Sequence, residues 1–172
     1  MPDHPAGPFA AVDEYSESDK VRLTDAIRQA PAALRNAVAG LSNSQLDTPY
    51  HNWTIRQITH HLADSHLHSV IRFKWALTED NPTIKAYEEA DWVQLADCRC
   101  GDVGPALELL HGLHAKWVQI LESMTADQYA RTFLHPQTGE TVSLWKALNY
   151  YAWHSRHHAA QIVWLCEHGG WK

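Results

Sequence analysis

Three histidines fall within five positions of YYAWHSRHHAAQI, residues 150–162, among aromatic and small apolar residues. Imidazole is costly to bury, so a histidine-rich segment with the spacing of a helix core needs a reason to exist. Stepping by four and three, Ala147, Tyr151, His154, His158, Gln161 and Leu165 share one helical face. His154 and His158, one turn apart, can point two imidazoles at one ion. Thirteen histidines in 172 residues make about one such pair expected by chance. The pair alone therefore does not separate metal ligation from buried, hydrogen-bonded core histidines. Its surroundings favour ligation, because the same face runs on into apolar residues.

A second stripe offers a partner. Ile58, His61, Ser65, His68, Arg72 and Trp75 step along one face that begins and ends apolar. Two such polar islands at mid-helix can meet inside a bundle. Three neutral imidazoles from two helices leave one coordination position open for water, the pattern of catalytic zinc. His60, His66 and His157 lie about 100° or more off these stripes and are expected on outer faces or in supporting contacts. His114, in LLHGLHAKW, fits the same cavity and a hydrogen-bonded core role equally well. Cys98 and Cys100 form a CRC element with one intervening residue and no second thiol pair, which points to loop chemistry and not to zinc. Asp64, Ser65, His68, Arg72, His114 and Tyr151 are candidates for substrate or supporting contacts, and none is an unambiguous general base. Tryptophans 75, 117, 145, 153 and 164 fall on helical segments, where core and interface packing is the ordinary use.

The elements that carry these residues are helical. Residues 1–16 read as an irregular lead-in. From Ser18 to about Gly40, Val21, Leu23, Ile27, Ala30, Leu34 and Val38 mark a first amphipathic helix with Pro31 as a point of bending. LSNSQLDTPY reads as a turn-rich connector. Thr54, with Gln57 three residues on, opens a second helix by a capping box, and Asp80-Asn81-Pro82 stops it. Residues 83–103 read as a long loop with a short helix near Tyr87–Leu95. A third helix starts at Gly104-Pro105 and runs to about Met124. A capped short helix follows at Thr125, then FLHPQTGET, a turn with extended flanks. The fourth long helix runs from near Ser143 to Gly169-Gly170. No strand-like alternation of any length is read. Four long helices with long crossovers predict an all-α four-helix bundle, residues 1–172 forming a single domain.

Composition narrows the partners. Fourteen Lys+Arg against 20 Asp+Glu give a formal net charge of −6, without a dense basic block. That argues against nucleic acid or an anionic membrane surface. No apolar run approaches the roughly 20 residues of a membrane span. The lead-in lacks a positive region and an apolar region, and the three cysteines lack framework spacing, so a cytoplasmic location is expected. Eight tryptophans exceed what one core of this size commonly takes, which points to an aromatic surface buried in a homodimer.

The segments QLDTPY, HHLADSH and WHSRHH, with ALELLHGLHAKWVQIL and FLHPQTGE between the last two, resemble the DinB/YfiT-like family, specifically its YfiT-type metal-dependent hydrolases. The resemblance covers roughly residues 17–168. It implies an up-down-down-up four-helix bundle, often a homodimer, with one divalent metal held by three histidines. Carried onto this chain, those ligands are His61, His154 and His158, the trio that the two stripes select. Two departures are visible. His51-Asn52 leads directly into Trp53 where relatives often carry Gly-Gly, and His68 stands where the family usually has Asn. His68 is expected to add a fourth nitrogen or a hydrogen-bonding group.

A metal held by neutral ligands keeps its full charge, so it lowers the pKa of a bound water or holds a thiolate. The expected function is hydrolysis of an unidentified small substrate. The alternatives are transfer of a low-molecular-weight thiol to an electrophile, which the resemblance also implies, and a metal-binding bundle without catalysis. Zinc is expected on availability and nickel on the affinity order for nitrogen donors.

Overall fold

The computed structural model describes residues 1–171. In chain order its elements are α1 (Glu17–Val38), α2 (Asn43–Leu46), β1 (Pro49–Tyr50), β2 (Trp53–Thr54), α3 (Ile55–Thr78), α4 (Glu89–Trp92), α5 (Ala96–Cys100), α6 (Gly104–Ser123), α7 (Ala126–Tyr129), β3 (Thr132–His135), β4 (Glu140–Ser143) and α8 (Leu144–Gly169). Side-chain caps start three of the four long helices. Ser16 accepts from the Asp19 amide, Thr54 and Gln57 form the expected capping box, and Ser143 accepts from the Lys146 amide. Gly170, at φ 66°, closes α8 in the left-handed conformation. Pro31 lies inside α1, which continues through it.

The apolar core comes in two clusters, and they fix the helix directions. One contains Leu23 and Ile27 of α1, Val70 and Phe73 of α3, Trp117 and Leu121 of α6, and Leu144 and Leu148 of α8. The other contains Leu34 and Val38, Ile55 and Ile58, Leu107 and Leu110, and Ile162 and Leu165 of the same helices. So α1 and α8 run from the first cluster to the second, while α3 and α6 run the opposite way. The bundle is up-down-down-up. Ion pairs Arg28–Glu122 and Arg35–Glu108 join α1 to α6 in the antiparallel sense. Because α3 and α6 are parallel, the chain must return along the bundle between them, and residues 79–103 make that crossover.

Three expectations change. The chain does form strands, in two short antiparallel hairpins: Tyr50 pairs with Trp53, and Thr132–His135 pairs with Glu140–Ser143 on the expected extended flanks of FLHPQTGET. The connector LSNSQLDTPY contains a capped turn of helix and β1. The crossover holds two short helices, α4 and α5, and the CRC element is the second of them, not loop. The lead-in is irregular but packed along α8. The Trp145 and Trp153 indoles donate to the carbonyls of Val12 and Gly7 at 2.7 and 2.9 Å. Part of the aromatic surplus behind the dimer expectation is thus used within the chain, while Trp75 stays 37% exposed. Among the described residues, no helix is long and apolar enough to cross a membrane.

Candidate metal centre

Between the two apolar clusters lies a layer of buried imidazoles. His61 and His66 come from α3, His114 from α6, and His154 and His158 from α8. His61, His154 and His158 meet by their Nε2 atoms: 3.3 Å from His61 to His154, and 3.1 Å from His158 to His154. All three are buried. Trp53, set by the β1–β2 turn in which His51 takes a positive φ of 53°, lies over His61 and His158 with ring centroids at 4.6 and 6.4 Å.

The surrounding hydrogen bonds fix where the protons are. The Ile27 carbonyl can only accept, so His114 Nδ1, 2.6 Å away, carries a hydrogen and His114 Nε2 does not. His66 Nδ1 therefore donates to His114 Nε2 at 2.8 Å, leaving His66 Nε2 to accept. His154 Nδ1 donates to it at 3.4 Å. On the other side His158 Nδ1 donates to Gln161 Oε1 at 2.8 Å, and Gln161 Nε2 donates to His157 Nε2 at 3.0 Å. With both Nδ1 atoms protonated, His154 Nε2 and His158 Nε2 face each other as bare lone pairs. Protonation does not relieve this. Burial first, and neighbouring imidazoles next, hold His61, His66 and His154 well below the usual imidazole range, and burial lowers His158 to about 4. Two lone pairs facing each other among buried side chains, with His61 Nε2 beside them, are satisfied by a cation. Their spacing matches the roughly 3.3 Å between nitrogens that each lie about 2.0–2.1 Å from a tetrahedral zinc. The cluster can hold a divalent metal.

The other sequence candidates divide. Ser65, Arg72 and Tyr151 line one cavity of about 280 Å³, together with Phe9, Phe133 and Tyr150. Arg72 Nη1 donates to the Tyr151 hydroxyl at 2.9 Å. Tyr150 stacks on His154 at 5.5 Å, so it walls both the cavity and the histidine layer. Burial pushes its phenol up to about 12, which keeps it a hydrogen-bond donor. His68 stands apart from the cluster: it bonds the Asp64 carbonyl at 2.9 Å and stacks on Tyr87 at 4.1 Å. It adds no fourth nitrogen. His114 takes the hydrogen-bonded core role, and Asp64 turns towards Cys98. Of the two places expected for His60, His66 and His157, the outer face fails, since all three are buried, while His66 and His157 do make supporting contacts, to His154 and Gln161. Spacing along one helix does not count what covers it from elsewhere: α5 of the crossover lies over His60, and His4 of the lead-in packs on His157 at 5.6 Å. Sequence reasoning assigned no role to Trp53, Tyr150 or Gln161, although Gln161 lies on the His154–His158 stripe.

Comparison with known proteins places the family and the fold. Residues 26–162 match the model of the DinB superfamily. The chain is 42% identical to "Putative metal-dependent hydrolase YfiT" of Bacillus subtilis (strain 168), over 98% of this chain and 96% of that protein. It is equally similar to a relative from Geobacillus thermodenitrificans (strain NG80-2) that bears the same functional name. A solved structure of the Bacillus subtilis YfiT, described as "a probable metal-dependent hydrolase with an unusual four-helix bundle topology", superposes with a TM-score of 0.95, covering 98% of both chains at 42% identity. The chain belongs to the DinB superfamily.

Proposed function

We propose that this protein is a metal-dependent hydrolase acting on a small substrate in the cavity beside the histidine layer, with His61, His154 and His158 as metal ligands. The observation that carries the proposal is the convergence of lone pairs whose tautomers are imposed from a backbone carbonyl on one side and an amide on the other. The relatives' names support the reaction class. When bound, the ion supplies a Lewis acid that lowers the pKa of water towards neutrality. Zinc suits the nitrogen set and its spacing, and nickel follows on affinity.

The chain's own residues supply position. The His66–His114 chain holds the His154 proton at Nδ1, and Gln161 holds that of His158, so the ligand rings cannot turn over. Arg72 fixes the Tyr151 oxygen as an acceptor, which leaves the phenolic hydrogen free to donate into the cavity. Ser65 offers a second hydroxyl there, and Phe9 and Phe133 add apolar surface to the same cavity.

The test is metal analysis of protein purified without an affinity tag, then assay on ester and amide panels, with and without a low-molecular-weight thiol plus electrophile. Hydrolysis that disappears on chelation and in His61→Ala, His154→Ala and His158→Ala, together with the metal, is expected. Turnover only when thiol is present would replace the hydrolase by a thiol transferase. Stoichiometric metal with neither activity would leave a binding bundle.

A further inference from the structure

The face of α3 next to the histidine layer carries a second set of donors. His60 and Asp64, one turn apart, look towards the crossover, where α5 lies against α3. Two buried side chains from the first turn of α3 hold it there. Arg56 Nη1 donates to the Gly101 carbonyl at 2.7 Å, and Gln57 Nε2 donates to the Val93 carbonyl at 2.8 Å, so the backbone is pinned on both sides of α5. Arg56 is itself fixed by Asp47 and Asn43 at 2.8 and 3.1 Å. Gly101 permits the last turn of α5 to close, since a Cβ there would stand 2.4 Å from the Asp97 carbonyl oxygen. The result is that Asp97 and Cys98 are delivered to His60. One ligand atom from each of the three lies within 4.8 Å of the others.

From this placement we infer that His60, Asp97 and Cys98 form a second metal site, of zinc type, with the Asp64 carboxylate as a further oxygen donor. His60 is 7% exposed, and its Nε2 is buried without a hydrogen-bond partner. Cys98 is 1% exposed, with its thiol 4.0 Å from Asp64 Oδ2. An imidazole nitrogen, a thiolate sulfur and carboxylate oxygens are together a zinc donor set. Sequence spacing hides it, because the thiol's partners sit on another helix and not in a CxxC run. The local charge also lacks its counterpart. After burial, the Asp97 and Asp64 carboxylates are what push the Cys98 thiol up to about 12, and Asp97 helps push Asp64 up to about 6. A dication reverses the sign of each of these repulsions. Binding releases the Cys98 thiol proton to solvent. Neighbouring ligands of a tetrahedral zinc stand roughly 3.3–3.8 Å apart, so the donor atoms, now within 4.8 Å of one another, close on the ion by side-chain rotation while the pinned backbone of α5 stays in place. This site shares no residue with the three-histidine cluster. Its effect is to staple the crossover to α3.

Cobalt(II) occupies zinc sites and reports a thiolate ligand as a near-ultraviolet charge-transfer band, which a three-histidine site cannot give. Titrating tag-free, metal-stripped protein with cobalt should load a second equivalent per chain and produce that band. Cys98→Ser should lose the band and the second equivalent, while Cys100→Ser keeps both. His154→Ala should lose one equivalent yet keep the band, which separates this site from the histidine cluster. Wild-type protein that takes a single equivalent without a thiolate band overturns the inference, and no variant is needed to see it. A Cys98→Ser protein that keeps the band overturns it as well.

Discussion

Acidification of the metal-free protein should unfold it well before ordinary carboxylate titration begins. The perturbation is a fall from about pH 7 to about pH 5 in the presence of chelator. Burial lowers the His114 imidazole from 6.5 to about 4, against the opposing pull of its bond to Ile27. Because the folded pKa lies below the unfolded one, the unfolded chain takes up the proton first. Stability is whole above about pH 6.5, drains as pH falls towards about 4, and levels below that. At about pH 5 the gap contributes about 2 kcal/mol against folding from His114 alone. His158, lowered to about 4, contributes a similar amount, and His61, His66 and His154 act in the same direction. Against an ordinary domain stability of about 5–15 kcal/mol, the His114 and His158 contributions alone remove a substantial part of the margin. The assay is the denaturant midpoint, read by tryptophan fluorescence at a series of pH values, with and without saturating metal. Metal-loaded protein should hold its midpoint to lower pH, because protons must first displace the ion. A midpoint that stays flat between about pH 7 and pH 5 in chelator would refute the reasoning, since it requires the layer to accept protons while folded.

Three further outcomes are expected. Gln161→Leu removes the acceptor that orients His158 and should weaken metal binding by about 10–100-fold in a competition titration, with little change in fold. Trp53→Ala uncovers His61 and His158, so metal should be lost to a chelator at least about tenfold faster, measured by stopped-flow with a coloured chelator. Arg56→Met leaves the Gly101 carbonyl without its donor beside α5 and should lower the denaturant midpoint by about 1–3 kcal/mol equivalent.

What the sequence disclosed was whatever helical geometry alone determines. The Thr54–Gln57 box, the Gly170 stop and the two stripes are properties of single helices, and they placed His61, His154 and His158 on facing surfaces. The His154–His66–His114–Ile27 chain joins four residues from all four long helices, so no single period marks it. The same holds for His60 and Cys98, which approach because a crossover of some 25 residues must run back along the bundle. Trp53 depends on a left-handed His51, whose tight turn no hydrophobic pattern announces. Helix existence was local information, whereas the tautomer network was not.

The two apolar clusters share no residue, and the histidine layer stands between them. Substitutions in one end should therefore combine additively with those in the other, their sites being well beyond contact range. Each end of the bundle is free to drift in sequence without consulting the other, provided the layer keeps its height. Changes at the Phe133–Tyr150 end, where the cavity opens, should therefore alter what fits there while leaving the packing of the Leu34–Ile162 end as it is. What the cavity admits and how firmly the far end packs should then be adjustable one at a time, each without a compensating change in the other.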